Sequence, residues 1–525
     1  MGDECQFSRE RQLERLKADR QPWDIVVIGG GATGVGVAVD AATRGYRVAL
    51  LERHDFGKGT SSRSTKLVHG GVRYLQQGHI HLVREALHER GLLRQNAPHL
   101  VYPLPTLVPV RSRWEALFYG LGLKVYDALS GRLSLGASHH LNAAEAVARI
   151  PTLATANLRG GILYYDAVFD DARLLTNLVQ TAIAHGATCL NYAPVHELKK
   201  QSGRVVGVMA EDAERGEVLD LSARVVVNAT GPFSDAIGRL DDPQAPPSIA
   251  PSQGIHLVFD RKFLPSDTAI VVPKTPDGRV IFSIPWHEHT VVGTTDTPLE
   301  SVPLEPRPRD EEVAFLLETV APYLSPAPQA ADIRAIFAGI RPLVRRGDPR
   351  HTSKLARDHV IHVSASGLVS IMGGKWTTYR RMAEDCVDRA ILVGGLTPAE
   401  CTTRSLRVHG GDADGGTGPL MLYGSDAPAI AQLVAESPAL GERLDERLPF
   451  LAAQAVWAAR QEMARSVEDV LARRTRALFL DAEAALTAAP RVAALLAAEL
   501  GRDEAWQADQ LSNFRAVAEN YRWHG

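Results

Sequence analysis

Asp24 leads into Ile25-Val26-Val27-Ile28, an unbroken apolar run that ends in Gly29-Gly30-Gly31-Ala32-Thr33-Gly34; a second run, Val48-Ala49-Leu50-Leu51, ends in Glu52. A strand feeding a glycine turn and a helix, with an acid closing the next strand, is the arrangement a dinucleotide requires. Gly29 allows the tight turn, Gly31 lets backbone approach a pyrophosphate, and Gly34 lets the helix lie close on the sheet. The pyrophosphate then meets the positive N-terminus of that helix. Glu52, about twenty residues on, suits the ribose hydroxyls and would repel a 2′-phosphate, which disfavours NADP. The pattern by itself leaves FAD and NAD both open.

A chain of 525 residues is too long for one core, so two or three domains are expected. The formal net charge of −3 and the lack of a basic stripe with interleaved aromatics argue against a nucleic-acid partner. Cys5, Cys189, Cys386 and Cys401 are scattered without a C-x-x-C pair, which fits reduced thiols and offers neither a disulfide framework nor a metal site. The stretch from Arg9 to Arg20 is highly charged, unlike a signal peptide, and no run of about eighteen apolar residues occurs. The expectation is a chain that stays inside the cell without a spanning helix, its charged N-terminus a solvated arm.

Periodicity predicts an α/β fold. Strand, helix (Val35 to Arg44), strand and a helix from about Leu82 to Arg94 come first. A second block has an amphipathic helix from Asp171 to about Gly186, a strand at Thr188 to Tyr192, alternating strands at Arg204 to Met209 and Val218 to Leu221, and a buried strand at Ala223 to Asn228. From about Asp242 the period becomes two, at Ile255 to Phe259, Ala269 to Val272, Val280 to Ile284 and Thr290 to Gly293, with a turn signal at Pro276-Asp277-Gly278. A helix follows in which Tyr379, Met382, Ala383, Cys386 and Ala390 recur at helical spacing; Gly410 to Gly418 reads as linker, and the remainder as an alanine-, leucine- and arginine-rich helical unit. The expected division is a discontinuous dinucleotide domain (20–100, 165–240, 336–395), a substrate domain (101–164, 241–335), a linker (396–418) and a helical domain (419–525).

The polar, glycine-spaced segment Gly59-Thr60-Ser61-Ser62-Arg63-Ser64-Thr65-Lys66-Leu67-Val68-His69-Gly70-Gly71-Val72-Arg73-Tyr74-Leu75 resembles the one that passes the FAD pyrophosphate and runs under the isoalloxazine in glycerol-3-phosphate dehydrogenases of the FAD-dependent, quinone-linked type. Val227-Asn228-Ala229-Thr230-Gly231-Pro232, Gly293-Thr294-Thr295-Asp296, Gly339-Ile340-Arg341-Pro342-Leu343, Gly373-Gly374-Lys375-Trp376-Thr377-Thr378-Tyr379-Arg380 and the helical Ser466 to Arg476 fit the same family in the same order. The resemblance implies a D-amino-acid-oxidase-like flavoprotein: a Rossmann-type FAD-binding domain, an inserted and mostly antiparallel substrate domain, and a C-terminal helical domain. It implies that FAD is held by Gly29, Gly31, Gly34, Glu52, Thr60, Ser61, Ser62, Ser64, Lys66, His69, Gly70, Gly71, Val195, Thr230, Gly231, Gly339, Gly374, Lys375, Trp376 and Thr377.

The implied substrate is sn-glycerol 3-phosphate, oxidised at C2 to dihydroxyacetone phosphate with hydride passing to flavin N5. Such a reaction needs a group to take the hydroxyl proton and fixed cations for the phosphate. The family pattern places Arg73, Tyr74, His256, Arg341, Arg357 and Lys375 around the substrate. Arg73 and Arg357 are assigned to the phosphate, where a planar fork meets two oxygens, with Tyr74 as a hydroxyl donor. Arg341 is assigned to the C2 oxygen, and His256, ahead of His69, to the base because its intrinsic pKa lies near neutrality. Lys375 and Trp376 open a helix whose N-terminus would stabilise charge developing on the reduced flavin.

The resemblance leaves two electron acceptors, a membrane quinone or, as in the oxidase branch, O2 with release of hydrogen peroxide. No unmatched insertion of the oxidase kind is visible, which favours quinone and peripheral docking on the cytoplasmic face of a membrane. Between Arg111 and Tyr126, Trp114, Leu117, Phe118, Leu121 and Val125 share one helical face flanked by cations. Such a helix lies either in a membrane interface or in the protein's own core. The helical tail carries no chemical signature; packing, membrane docking and assembly of a homodimer are all open as its role.

Overall fold

The computed structural model describes residues 6–19, 21–76, 78–273, 275, 279–345, 359–413 and 418–524, with the side chains of Arg73 and Gln76 left out. The expected turn at Pro276-Asp277-Gly278 lies outside the described residues.

Ile25, Val26 and Val27 are fully buried because their strand, Trp23–Ile28, has parallel neighbours on both sides, Glu217–Asn228 and Val48–Leu51, and cover on both faces. The first sheet runs His359–Val363, Val369–Gly373, Glu217–Asn228, Trp23–Ile28, Val48–Leu51, Thr188–Leu190. Glu217–Asn228 is one continuous strand where two were expected. Its first half alternates exposed and buried residues and pairs antiparallel with Arg204–Asp212; its second half is buried throughout and pairs parallel with Trp23–Ile28. The change of period marks a change of neighbour and not a break.

The helix Ala32–Thr43 packs between Tyr379–Gly394 and Asp171–Ala184 on this sheet. It lies so close that a Cβ on Gly34 would collide with the carbonyl oxygen of Gly29.

The second sheet is mostly antiparallel and is built around Ile249–Asp260, Ile281–Trp286, His289–Gly293, Val101–Val110 and Gly160–Phe169. Ala269–Val272 joins the two halves by pairing parallel with Val101–Val110. That strand contains Pro103, Pro105 and Pro109, spaced so that their missing N–H groups fall on one edge, away from the ladder with Gly160–Phe169. Ile333–Val344 pairs with Ile249–Asp260 along its length, so the boundary expected at 335/336 falls inside a strand of the second sheet.

Two segments expected to be loose are packed. The N-terminal helix Arg9–Ala18 buries Leu13 and Leu16, and Arg9 reaches inside to Asp212 at 2.7 Å and to the carbonyl of Asn191 at 2.9 Å, so it is no solvated arm. The described part of the expected linker buries Leu396 and Val408 against the first sheet's core; Asn96 donates to the carbonyl of Thr403, and the Val408 N–H donates back to the carbonyl of Asn96. The C-terminal helices Ala452–Gln461, Ala482–Leu500 and Glu504–Ala518 share a core with Trp286 and Phe337 of the second sheet, where alanine faces permit close helix approach.

Candidate active site

One cavity of about 1360 Å³ runs from the Gly29–Thr33 turn, across the end of the first sheet, to the second sheet. At its first end Gly29 has φ +108, and Gly31 caps the helix Ala32–Thr43 without a side-chain cap. The helix therefore offers its positive end to the cavity, and the only atom near a Cβ built on Gly31 is Ser61 Oγ at 3.0 Å. Thr230 and Gly231 line the same end. Beyond them, Glu52 accepts hydrogen bonds from the N–H groups of Gly30 at 2.6 Å and His54 at 2.8 Å, and burial raises its carboxyl above the usual range. Arg53, His54 and Val195 line this stretch. Bare glycine backbone, an open helix end and an acid beyond it are the donors and acceptor that fit a dinucleotide.

Thr60, Ser61 and Ser64 line the cavity from the segment after Glu52. Their side chains are largely committed to shaping the segment: Thr60 donates to the carbonyl of Ile340 at 2.6 Å, Ser61 Oγ accepts the Ala32 N–H at 2.9 Å, and Ser64 donates to Asp171 at 2.6 Å. Gly71, Tyr74, Gly339, Gly374, Trp376 and Thr377 also face the space, as does His69, whose ring meets Phe282 edge-on with centroids 6.2 Å apart. Trp376 Nε1 donates to the carbonyl of Ser61 at 2.8 Å, tying the two halves of the site.

Four expected cofactor ligands do not line the cavity. Gly34 packs against Gly29 and Ala229. Gly70 turns toward the protein, where its N–H donates to the Tyr126 hydroxyl at 2.8 Å. Ser62 is buried and its carbonyl accepts from Lys66 at 2.8 Å. Lys66, with φ +64, points behind the segment, fully buried among Trp286, Phe337 and Phe479 and paired with Asp171 at 2.7 Å. Burial, opposed by Asp171, pulls its ammonium down to about 7. A polar residue in this segment is as easily turned to the back as to the cavity.

At the second end, His256, Arg341, Lys375 and Tyr74 share the space. His256 lies opposite Gly293 and Phe337 in the sheet; a Cβ on Gly293 would collide with its ring, which instead stacks on Phe337 with centroids 4.7 Å apart. Its Nε2 is 2.9 Å from Thr65 Oγ1, and its buried Nδ1 has no hydrogen-bond partner among the described residues. Burial, reinforced by Lys66 and Arg341, holds its pKa well below the usual 6.5, which corrects the near-neutral value expected from the residue type. Arg341 spreads its guanidinium over the carbonyl of Thr295 at 2.9 Å, Thr294 Oγ1 at 3.1 Å, and the Gln253 carbonyl and Asp296, both at 3.3 Å. Two left-handed glycines, Gly373 at φ +77 and Gly374 at φ +78, deliver Lys375, whose Nζ lies 4.0 Å from the centre of the Tyr74 ring.

Arg73 has its backbone in the helix Val72–Gln76, but its side chain, and all of Arg357, lie outside the described residues. Thr65 and Asp296 are functional neighbours that sequence reading did not assign: Thr65 meets His256 and Asp296 meets Arg341. The signal for Asp296 is the Gly293-Thr294-Thr295-Asp296 pattern itself, since Gly293 makes room for His256 while Asp296 fixes Arg341.

A family model described as FAD dependent oxidoreductase matches residues 24–380, and one described as the C-terminal domain of alpha-glycerophosphate oxidase matches residues 369–507. The probable mitochondrial glycerol-3-phosphate dehydrogenase of Caenorhabditis elegans is 41% identical over 94% of this chain and 73% of its own length. The chain belongs to the FAD-dependent glycerol-3-phosphate dehydrogenase family. The mitochondrial enzyme SDP6 of Arabidopsis thaliana is 40% identical over 95% of this chain and 86% of its own. The crystal structure of the glycerol-3-phosphate dehydrogenase from Bacillus halodurans, complexed with FAD, superposes with a TM-score of 0.79 at 30% identity over 99% of this chain and 98% of that one. The fold is thus that of the D-amino-acid-oxidase-like flavoproteins with a C-terminal helical domain, and the cofactor is FAD.

Proposed function

We propose that this member of the family oxidises sn-glycerol 3-phosphate at C2 to dihydroxyacetone phosphate and passes the electrons to a membrane quinone while docked on the cytoplasmic face of the membrane. When bound, FAD supplies the hydride acceptor, N5. The chain's own residues supply the rest. His256, neutral because buried, takes the C2 hydroxyl proton, with Thr65 fixing its Nε2 side. Arg341, held by Asp296, polarises the C2 oxygen. Lys375 and Tyr74 add a cation and a hydroxyl at the same end of the cavity, and Arg73 and Arg357 are our assignment for the phosphate. Gly29, Gly31, Thr230 and Gly231 take the pyrophosphate, Glu52 and Val195 the adenosine half, and Gly339, Gly374, Trp376 and Thr377 the flavin.

The observation that carries this reading is that one cavity joins the glycine turn, the His256–Arg341–Lys375 group and an apolar outer helix. That helix, Arg113–Ser130, presents Trp114, Leu117, Phe118, Leu121 and Val125 at 41% to 80% exposure, and the same side chains border the cavity. An apolar face of this kind at the mouth of a redox site suits a lipid-soluble acceptor. No helix of the described residues is long and apolar enough to cross a membrane.

The test is an anaerobic titration with sn-glycerol 3-phosphate followed by a short-chain quinone or air. Bleaching of the flavin by the substrate and rapid recovery with quinone support the proposal. An unbleached flavin removes the substrate, and fast recovery in air with hydrogen peroxide formed replaces the dehydrogenase by an oxidase.

A further inference from the structure

The segment from Asp55 to Lys66 has two sides. One lines the cavity at Gly57, Lys58, Thr60, Ser61 and Ser64. The other is fastened to the C-terminal unit by charges buried far from water. Arg474 donates to both oxygens of Asp55, at 2.7 Å and 2.8 Å, and Arg473 Nε donates to the same carboxylate at 2.5 Å. Arg476 donates to the carbonyl of Ser62 at 2.7 Å and to Asp171 at 3.2 Å. Lys58, itself one of the lining residues, pairs with Glu468 at 2.5 Å. Asp55 is fully buried and the three arginines are 1% to 3% exposed.

Burying this many charges gives little net stability, because desolvation offsets the attraction, but it fixes geometry closely: each carboxylate accepts planar forks at defined angles. What is fixed here is the back of the cofactor segment. Burial would raise the Asp55 carboxyl, yet Arg474 and Arg473 hold it well below the usual range, so it stays ionised and the clamp closed at neutral pH.

We propose that Arg473, Arg474 and Arg476 are positioning residues for the cofactor: the C-terminal unit holds Asp55 to Lys66 in the shape that binds FAD, closing the site from behind. Binding of FAD and docking of residues 462–476 are then coupled, and coupling is reciprocal. Each favours the other by the same factor.

The test uses both directions. The full chain is stripped of FAD, and amide hydrogen exchange across residues 462–476 is compared before and after FAD is restored. Slower exchange with FAD is expected; identical exchange overturns the proposal. In the other direction, the neutral pair Asp55→Asn with Arg474→Gln keeps hydrogen-bonding groups in place of the charges. FAD affinity of the stripped double variant is expected to fall on the order of tenfold, and that of Arg474→Lys, which keeps the charge without the fork, by less. A purely structural cluster would lower the melting temperature of the stripped protein and leave FAD affinity where it was. Unchanged affinity overturns the proposal whatever happens to melting.

Discussion

His256 illustrates how position overrides residue type. On a surface strand it would titrate near neutrality; stacked on Phe337, closed in by Gly293 and facing the positive charges of Lys66 and Arg341, it stays neutral far into acid. The consequence for catalysis has a sign. A base that is already unprotonated is not lost as pH falls through 6.5, so kcat at saturating sn-glycerol 3-phosphate is expected to show no break there, whereas kcat/KM carries the ionisation of the substrate's own phosphate at about 6. A break in kcat near 6.5 would remove His256 as the base. His256→Asn is expected to lower kcat by about a hundredfold or more while FAD content, read from visible absorbance, holds. Arg341 makes a different argument. Its fork meets two carbonyls, a hydroxyl and Asp296 at once, which a lysine cannot do. Arg341→Lys keeps the charge but loses the aim, and kcat/KM is expected to fall on the order of a hundredfold. Full activity in that variant would mean that charge alone suffices.

At the scale of elements, the helix Arg113–Ser130 is the informative one. Its sequence left two readings open for the face of Trp114, Leu117, Phe118, Leu121 and Val125, a membrane interface or the protein's own core; that face is exposed and a different one is buried. Leu123 and Tyr126 point inward, where Tyr126 donates to Asp166 at 2.7 Å and accepts from the Gly70 N–H, while Trp114, Leu117, Phe118 and Leu121 point out. The helix is thus tied to the flavin-side segment at one face and bare at the other. Its start is fixed by a capping box between Ser112 and Glu115 and its end by Gly131 at φ +54. If the bare face docks on lipid, Leu117→Asp and Phe118→Asp should each weaken sedimentation with anionic vesicles by about tenfold, the effect of withdrawing one large apolar side chain. Bleaching of the flavin by substrate is expected to persist. Vesicle binding that survives both changes would move membrane docking elsewhere. Other elements were readable to differing degrees. The strand, turn and acid at 25–52 were legible because neighbours in sequence carry the whole signal. Val101–Val110 was not, because its three prolines mimic a break and only its place in the sheet makes them harmless.

Across the whole molecule, what escaped the sequence is what joins its distant parts. Arg474 and Asp55 are 419 residues apart, and no local pattern connects them. Lys66 read as a ligand for the same reason, since the acid that holds it behind the segment, Asp171, comes from a helix on the first sheet and the rings come from the second sheet and the C-terminal unit. Such long-range burial also leaves a mark on acid stability. His54 and His99 are both held at about 4 against the usual 6.5, burial being the larger cause in each, and burial holds His256 well below 6.5 as well. Each is neutral in the fold and free to take a proton when unfolded. The stability contributed by keeping them neutral is therefore fully present above pH 6.5 and is lost as pH falls from there toward about 4. The clamp carboxylate Glu468 acts lower: burial raises it, but Arg473 and Lys58 outweigh this and hold it at about 2, so the stability it contributes is present above the usual 4.5 and is lost as pH falls below that. The melting temperature of the FAD-loaded protein should stay level from neutral pH down to 6.5 and then decline steadily toward pH 4, with His99→Gln, which takes no proton and lies outside the FAD cavity, reducing the slope. A melting temperature that stays level down to about pH 5 and drops only below it would show that carboxylates, and not buried histidines, govern the acid limit.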